Sequence, residues 1–376
     1  MNRIPGLMVV ALTLIAGAPL AYSQTTDELI AQAVRPLPED LRAGATVYRY
    51  DAQTGERIVL RAGTNHVECV PDDGEGFTRC ESRHMGPRRD LAAKLEAQGV
   101  TGEALQAALA EAEADGTIEP VPFGTIVYRG YGEGDRIQLL WVVRLPNAMS
   151  GDLAMSTASQ RDASIAGQGL PWMMREGTPA AHLMIPINAT ELSNPGGAAT
   201  RASTKAIADP IEQALLPLPE DLKAGATVAR YDAKTGKREV LRQGSNSIEC
   251  QPYDPETQFI RCYHASRSAE LELRAQLASQ GKTEEEVQAA VSAAMAAGTI
   301  EERPFGAIDY RVYQDDDRIK YLWVLRLPNA TSEQLGMSTG SQRDNALAGQ
   351  GLPWMMREGT PAAHLMIPIN GTELSN

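Results

Sequence analysis

Pro36-Leu-Pro-Glu-Asp-Leu41 returns 181 residues later as Pro217-Leu-Pro-Glu-Asp-Leu222, and Ala43-Gly-Ala-Thr-Val47 returns as Ala224-Gly-Ala-Thr-Val228. From Cys80 and Cys262 onward the offset is 182, because the second copy has gained one residue in its cysteine loop. A period this long is a whole domain, not one turn of a solenoid. The chain therefore divides into a first repeat at 24–194, a linker at 195–207 and a second repeat at 208–376. The linker begins Pro195-Gly-Gly-Ala-Ala-Thr-Arg-Ala-Ser-Thr-Lys205, a composition of flexible coil that predicts two separate cores.

Inside each repeat the pattern is that of an α+β domain: a mainly antiparallel sheet with a packed helical pair. A short helix, Asp27 to Val34 or Pro210 to Leu215, stops at the Pro-Leu-Pro sequence. Thr46 to Tyr50 alternates, Asp51-Ala-Gln-Thr-Gly55 turns, and Arg57 to Arg61 returns, which reads as a hairpin. A second hairpin is predicted through His66–Cys69 and Phe77–Cys80. Leu91 and Leu95, then Leu105 and Leu109 behind a Thr101 cap, predict two helices. In the second copy Thr283-Glu-Glu-Glu286 is a capping box, and Val287, Val291 and Met295 share one face, expected to pack on the sheet. Strands return at Thr125 to Tyr131 and Ile137 to Leu145, then a mostly irregular stretch from Met155 ends in a strand at His182 to Ile187.

The N-terminus places one positive charge, Arg3, before an apolar run from Leu7 to Ala21, with small residues at Ala21 and Ser23. Residues 1–23 are read as a signal peptide cleaved after Ser23, so the chain is expected to be exported, to a periplasm or outside the cell. No later stretch is apolar enough for a transmembrane segment. Beyond the signal there remain 34 basic and 48 acidic side chains. An acidic chain of this kind repels phosphate backbones, so nucleic acid and anionic membrane surfaces are unfavoured as partners at the level of net charge.

Four cysteines in an exported chain predict disulfides, and repeat equivalence pairs Cys69 with Cys80 and Cys250 with Cys262. Two cysteines so spaced match no common zinc spacing.

Between Ser159–Asn194 and Ser341–Asn376, 32 of 36 aligned positions are identical, whereas the earlier parts of the repeats differ freely. This stretch carries Arg161, Asp162, Trp172, Glu176 and His182, with twins Arg343, Asp344, Trp354, Glu358 and His364. Any site is expected in the Ser159–His182 loop and its Ser341–His364 counterpart. Three readings compete. A non-catalytic exported binding or envelope-associated protein would use the two loops as two similar surfaces for a ligand or an envelope protein, with no cofactor. A hydrolase would use Ser159, Asp162 and His182, although no Gly-x-Ser-x-Gly elbow or His-Glu-x-x-His is present. A copper enzyme would use His182 with Met184, and His364 with Met366, which share a strand face because they are two apart. The first reading is preferred, since the polar types alone fix no geometry.

Overall fold

The computed structural model describes residues 24–375 apart from 73–75, 133–134, 191–206, 256, 315–316 and 373. The predicted signal peptide and all but the last residue of the predicted linker lie outside the described residues. The first repeat runs α1 (Thr26–Val34), α2 (Glu39–Arg42), β1 (Thr46–Tyr50), β2 (Arg57–Arg61), β3 (Val67–Val70) and β4 (Phe77–Ser82). It continues with α3 (Gly86–Ala97), α4 (Gly102–Ala114), β5 (Ile126–Tyr131), β6 (Leu139–Arg144), α5 (Ser150–Leu153), α6 (Arg161–Ile165), β7 (Trp172–Met174) and β8 (His182–Pro186). The second repeat opens with α7 (Pro210–Ala214), α8 (Glu220–Lys223), β9 (Thr227–Tyr231), β10 (Arg238–Arg242), β11 (Ile248–Asp254) and β12 (Phe259–His264). There follow α9 (Ser268–Ser279), α10 (Glu284–Ala296), β13 (Ile308–Tyr313), β14 (Tyr321–Arg326), α11 (Ser332–Leu335), α12 (Arg343–Leu347), β15 (Trp354–Met356) and β16 (His364–Pro368).

Each repeat is one eight-stranded sheet, ordered β2-β1-β3-β4-β5-β6-β8-β7 in the first and equivalently in the second. All neighbours are antiparallel except β1 with β3 and β9 with β11. The α+β reading holds for both. The stretch expected to be irregular contributes the edge strand β7, which pairs Trp172 with Met184 and Met174 with His182. In the β1–β2 turn Gly55 has φ 69°, and a Cβ there would lie 2.4 Å from the Ala93 carbonyl. Only glycine lets this turn lie against α3.

The cysteines face each other across β3–β4 and β11–β12 and form Cys69–Cys80 and Cys250–Cys262. Each bond closes a short loop, so reduction is expected to remove about 2–3 kcal/mol per bond. Urea denaturation with and without a phosphine reductant measures this; a midpoint that does not move on reduction would defeat it.

Successive residues of a strand point to opposite faces, and the two faces of each sheet differ in chemistry. The inner face carries Val47, Val67, Cys69, Cys80, Ile126, Tyr128, Trp141, Val143 and Leu183, with Ala33 and Val34 of α1 packed on it. Separate cores were expected; instead these residues belong to one cluster that continues through Val228, Cys262, Ile308, Tyr310, Trp323, Leu325 and Leu365 of the second repeat. The join has approximate two-fold symmetry. Tyr128 donates to Gly336 O at 2.8 Å, and its twin Tyr310 donates to Ala154 O. Ser156 donates to Asp221 at 2.8 Å and Ser338 to Asp40 at 2.7 Å. Phe123 and Phe305 stack edge to face, with ring centres 5.2 Å apart. Asn188 and Asn370, both buried, donate to each other's backbone carbonyl at 3.4 and 3.3 Å. A linker of coil-like composition does not oblige two domains to stay apart when each has an apolar sheet face left to cover. His66, which reads as a surface residue in the sequence, is half-buried in this join, 3.2 Å from Met337 O.

The outer face is covered in part by the helical pair. Helix α10 begins with the expected capping box, Glu286 N–H to Thr283 Oγ1 at 3.3 Å and Thr283 N–H to Glu286 at 2.9 Å. Thr101 makes no corresponding side-chain bond. The face of Val287 and Val291 was expected to pack on the sheet; in the first repeat their twins, Leu105 and Leu109, do otherwise. These form a small cluster of their own with Ala112, Ile118, Leu91 and Leu95. A stripe two leucines wide covers one neighbour, and here that neighbour is the other helix. Toward the sheet α3 presents charge: Asp90 accepts from Tyr50 at 2.8 Å and from Arg57 at 2.9 Å, and Arg89 donates twice to Glu81 at 2.5 and 2.9 Å.

Candidate functional site

The loop residues singled out by sequence do not all converge. Asp162 and Asp344 stand in solvent, their side chains 95% and 98% exposed, each beside its own arginine: Arg161 at 3.3 Å and Arg343 at 3.9 Å. Arg161 also donates to Asp135 O at 3.1 Å and Arg343 to Asp317 O at 2.8 Å, which ties α6 and α12 to the preceding hairpin turns. Glu176 accepts the Ser150 N–H at 2.8 Å and Glu358 the Ser332 N–H at 2.7 Å. Those bonds hold both carboxyls below their ordinary range and fasten the starts of α5 and α11.

His182 and His364 each use Nδ1 toward a backbone carbonyl, Ala180 O and Ala362 O, at 2.7 Å. Such a bond assigns the Nδ1 proton and leaves Nε2 as the lone-pair nitrogen of the neutral ring. Burial, together with Arg129, Arg144 and Arg175, pushes the pKa of His182 down, against the opposing bond to Ala180. None of the hydrogen bonds made by Ser159, Asp162 and His182 joins one of these three to another: Ser159 Oγ accepts from Arg161 N–H, and Asp162 from the Arg161 side chain. The constellation needed for nucleophilic catalysis is therefore not assembled by these bonds. Met184 and His182 do share the outer face of β8, but the neighbours of the imidazole are guanidinium groups, which repel a metal cation. Among the described residues no group of three or more His, Cys, Asp or Glu is placed to hold a metal ion.

What the second repeat does assemble is a groove of about 600 Å³ on its outer face. Leu322, Trp354, Met356 and Met366 form its apolar floor. Among the described residues its rim carries Tyr313, Arg318, Arg343 and Arg357 with one carboxylate, Glu358. Trp354 is held because β15 pairs with β16, opposite Met366, and only 4% of it is exposed. Arg357 has φ 53° and its twin Arg175 φ 55°, the left-handed region that costs a side-chain-bearing residue about 1 kcal/mol and concentrates at functional sites.

No protein-family model matches the chain, and no curated protein or solved structure is significantly similar to it.

In the first repeat the corresponding surface is an apolar cluster of Val127, Ile137, Leu140, Val142 and Trp172, with Tyr131, Ile165 and Met184 against it. Ile165 of α6 packs on that cluster, whereas Leu347 of α12 is 37% exposed. Of the residues expected from sequence, Trp354, Glu358, Arg343 and Met366 line the second repeat's groove. Tyr313, Arg318, Leu322 and Arg357 were missed. Arg318 and Tyr313 belong to the preceding hairpin, 23 and 28 residues upstream of Ser341. Their signal was an arginine placed 5.7 Å over a tyrosine ring, visible only once the strands are paired.

Proposed function

We propose that this is an exported, non-catalytic binding protein whose ligand is an amphipathic anion taken up on the outer face of the sheet. The groove of the second repeat carries the reading: an apolar floor closed by Trp354, with three guanidinium groups and one carboxylate among the described residues of its rim. An apolar body fits such a floor, and the surplus of positive charge selects the sign of its polar end. Export rests on the sequence of residues 1–23 and accords with two disulfides, which persist in oxidising compartments. Among the described residues no helix is long and apolar enough to cross a membrane.

Titrating the mature protein with decanoate while following tryptophan emission tests the binding. A saturable change is expected, absent in Trp354→Phe and weakened at least several-fold in Arg357→Gln. Decanol binding as well as decanoate would remove the anionic part of the reading, and no response to either would remove the groove.

A further inference from the structure

The two repeats fill the space beside their first helices differently. In the second repeat Tyr321, the first residue of β14, is buried, and its hydroxyl donates to Pro217 O at 2.7 Å. Leu215 and Leu216, at the end of α7, belong to the same core. In the first repeat all three positions have lost apolar bulk. Leu139 stands in the place of Tyr321, Val34 in that of Leu215 and Arg35 in that of Leu216, and Arg35 is exposed where Leu216 is partly buried. A leucine ends at its two methyls, so the outer half of the ring and the hydroxyl are both missing. Among the described residues no hydrogen bond to Pro36 O, the counterpart of Pro217 O, takes the place of the one that Tyr321 makes.

A cleft of about 510 Å³ opens at this place in the join. Val34, Arg35, Pro36 and Leu139 line it from the first repeat, and Gln342 and Asn345 line it from the second. The three residues that have lost bulk and the proline whose carbonyl has lost its donor thus all border one space. Clefts between domains are a preferred setting for small-molecule sites. Pro36 is itself buried, and a hydrogen bond to its carbonyl gains strength from the low dielectric around it. On the opposite wall Asn345, which donates to Gln342 Oε1 at 2.9 Å, replaces Ala163 of the first repeat and so adds an amide.

We infer that this cleft binds a monocyclic phenol, whose ring takes the place that Tyr321 fills in the second repeat and whose hydroxyl donates to Pro36 O. The second repeat carries its own copy of the ligand as a side chain. The amides of Gln342 and Asn345 receive any polar substituent on the far side of the ring. The site is separate from the groove on the outer face and does not rest on the function proposed for that groove.

Titration of the mature protein with 4-fluorophenol, followed by fluorine NMR of the ligand, tests this. Saturation at one equivalent is expected, with fluorobenzene, which lacks the donor, weaker by about tenfold or more. Leu139→Tyr should abolish binding by giving the first repeat the ring that the second already has. Asn345→Trp, at an exposed position on the opposite wall, should block the cleft without touching the core, which keeps the test decisive if a tyrosine at 139 disturbs folding. Decanoate, the probe for the groove, should not displace the phenol. Failure to saturate, fluorobenzene binding as tightly as the phenol, binding that survives both variants, or displacement by decanoate overturns the assignment.

Discussion

Residues 208–376 expressed alone are expected to run as a dimer and to melt at a temperature that rises with concentration. The inner face of that sheet is apolar from Val228 to Leu365 and is covered in the intact chain by the first repeat. Alone, it can be covered only by another copy. The approximate two-fold symmetry makes a copy suitable: the Ser338–Asp40 and Ser156–Asp221 bonds would both become bonds from Ser338 of one copy to Asp221 of the next. Residues 24–194 should self-associate less well. Gly336 touches the Ser82 backbone so closely that a Cβ would lie 2.8 Å from its nitrogen, and the first repeat has Ala154 at that position. Sedimentation and thermal unfolding at several concentrations decide the matter; two monomers with concentration-independent cooperative transitions would mean that the joint core is not needed for folding.

Glu81→Gln and Asp309→Asn should each cost about 3–5 kcal/mol, the usual price of leaving a buried ion cluster without its counter-charge. Burial opposes ionisation of both carboxyls, but Arg89, Arg79 and Arg144 around Glu81, and Arg267, Arg303, Arg311 and Arg326 around Asp309, overcome it and bring each pKa to about 2. Both folded values lie below the ordinary ones, 4.5 and 3.8. The stabilisation is therefore complete above about pH 5 and is lost as pH falls toward 2, amounting to about 2–3 kcal/mol for each group. Urea midpoints measured from pH 7 downward should fall through this window, and less steeply in either variant. A variant with the wild-type acid limb would exclude its carboxyl as the titrating group.

The duplication, the strand hairpins, the helical pair and both disulfides were legible because each leaves a local mark: a repeated string, a turn glycine, a capping box, a pair of cysteines. The join between the repeats was not. Apolar residues on an inner strand face read the same whether their cover is a helix of their own repeat or the sheet of the other, and Tyr128 gives no sign that its hydroxyl reaches Gly336, 208 residues away. The site was legible in half. The twinned loop pointed to Trp354 and Glu358, which do line the groove, but it pointed equally to Asp162, which stands in solvent, and to Glu176, which fastens the start of α5. Arg144 lay hidden at the end of an apolar run, Leu139 to Val143, where nothing in the sequence signals that its charge acts on Glu81 two strands away.

The exchange of hydrogen bonds between Asn188 and Asn370 marks the axis on which the halves meet, and it sets the terms on which they can change. In a dimer of identical subunits every substitution is made twice, so a new ligand preference appears in both sites together and a residue near the axis must tolerate itself. Fused in one chain, the halves are released from that condition. Ala154 can differ from Gly336, and a valine can stand at 127 where its twin is Asp309. One half is free to acquire a different cargo while the other goes on holding the pair together.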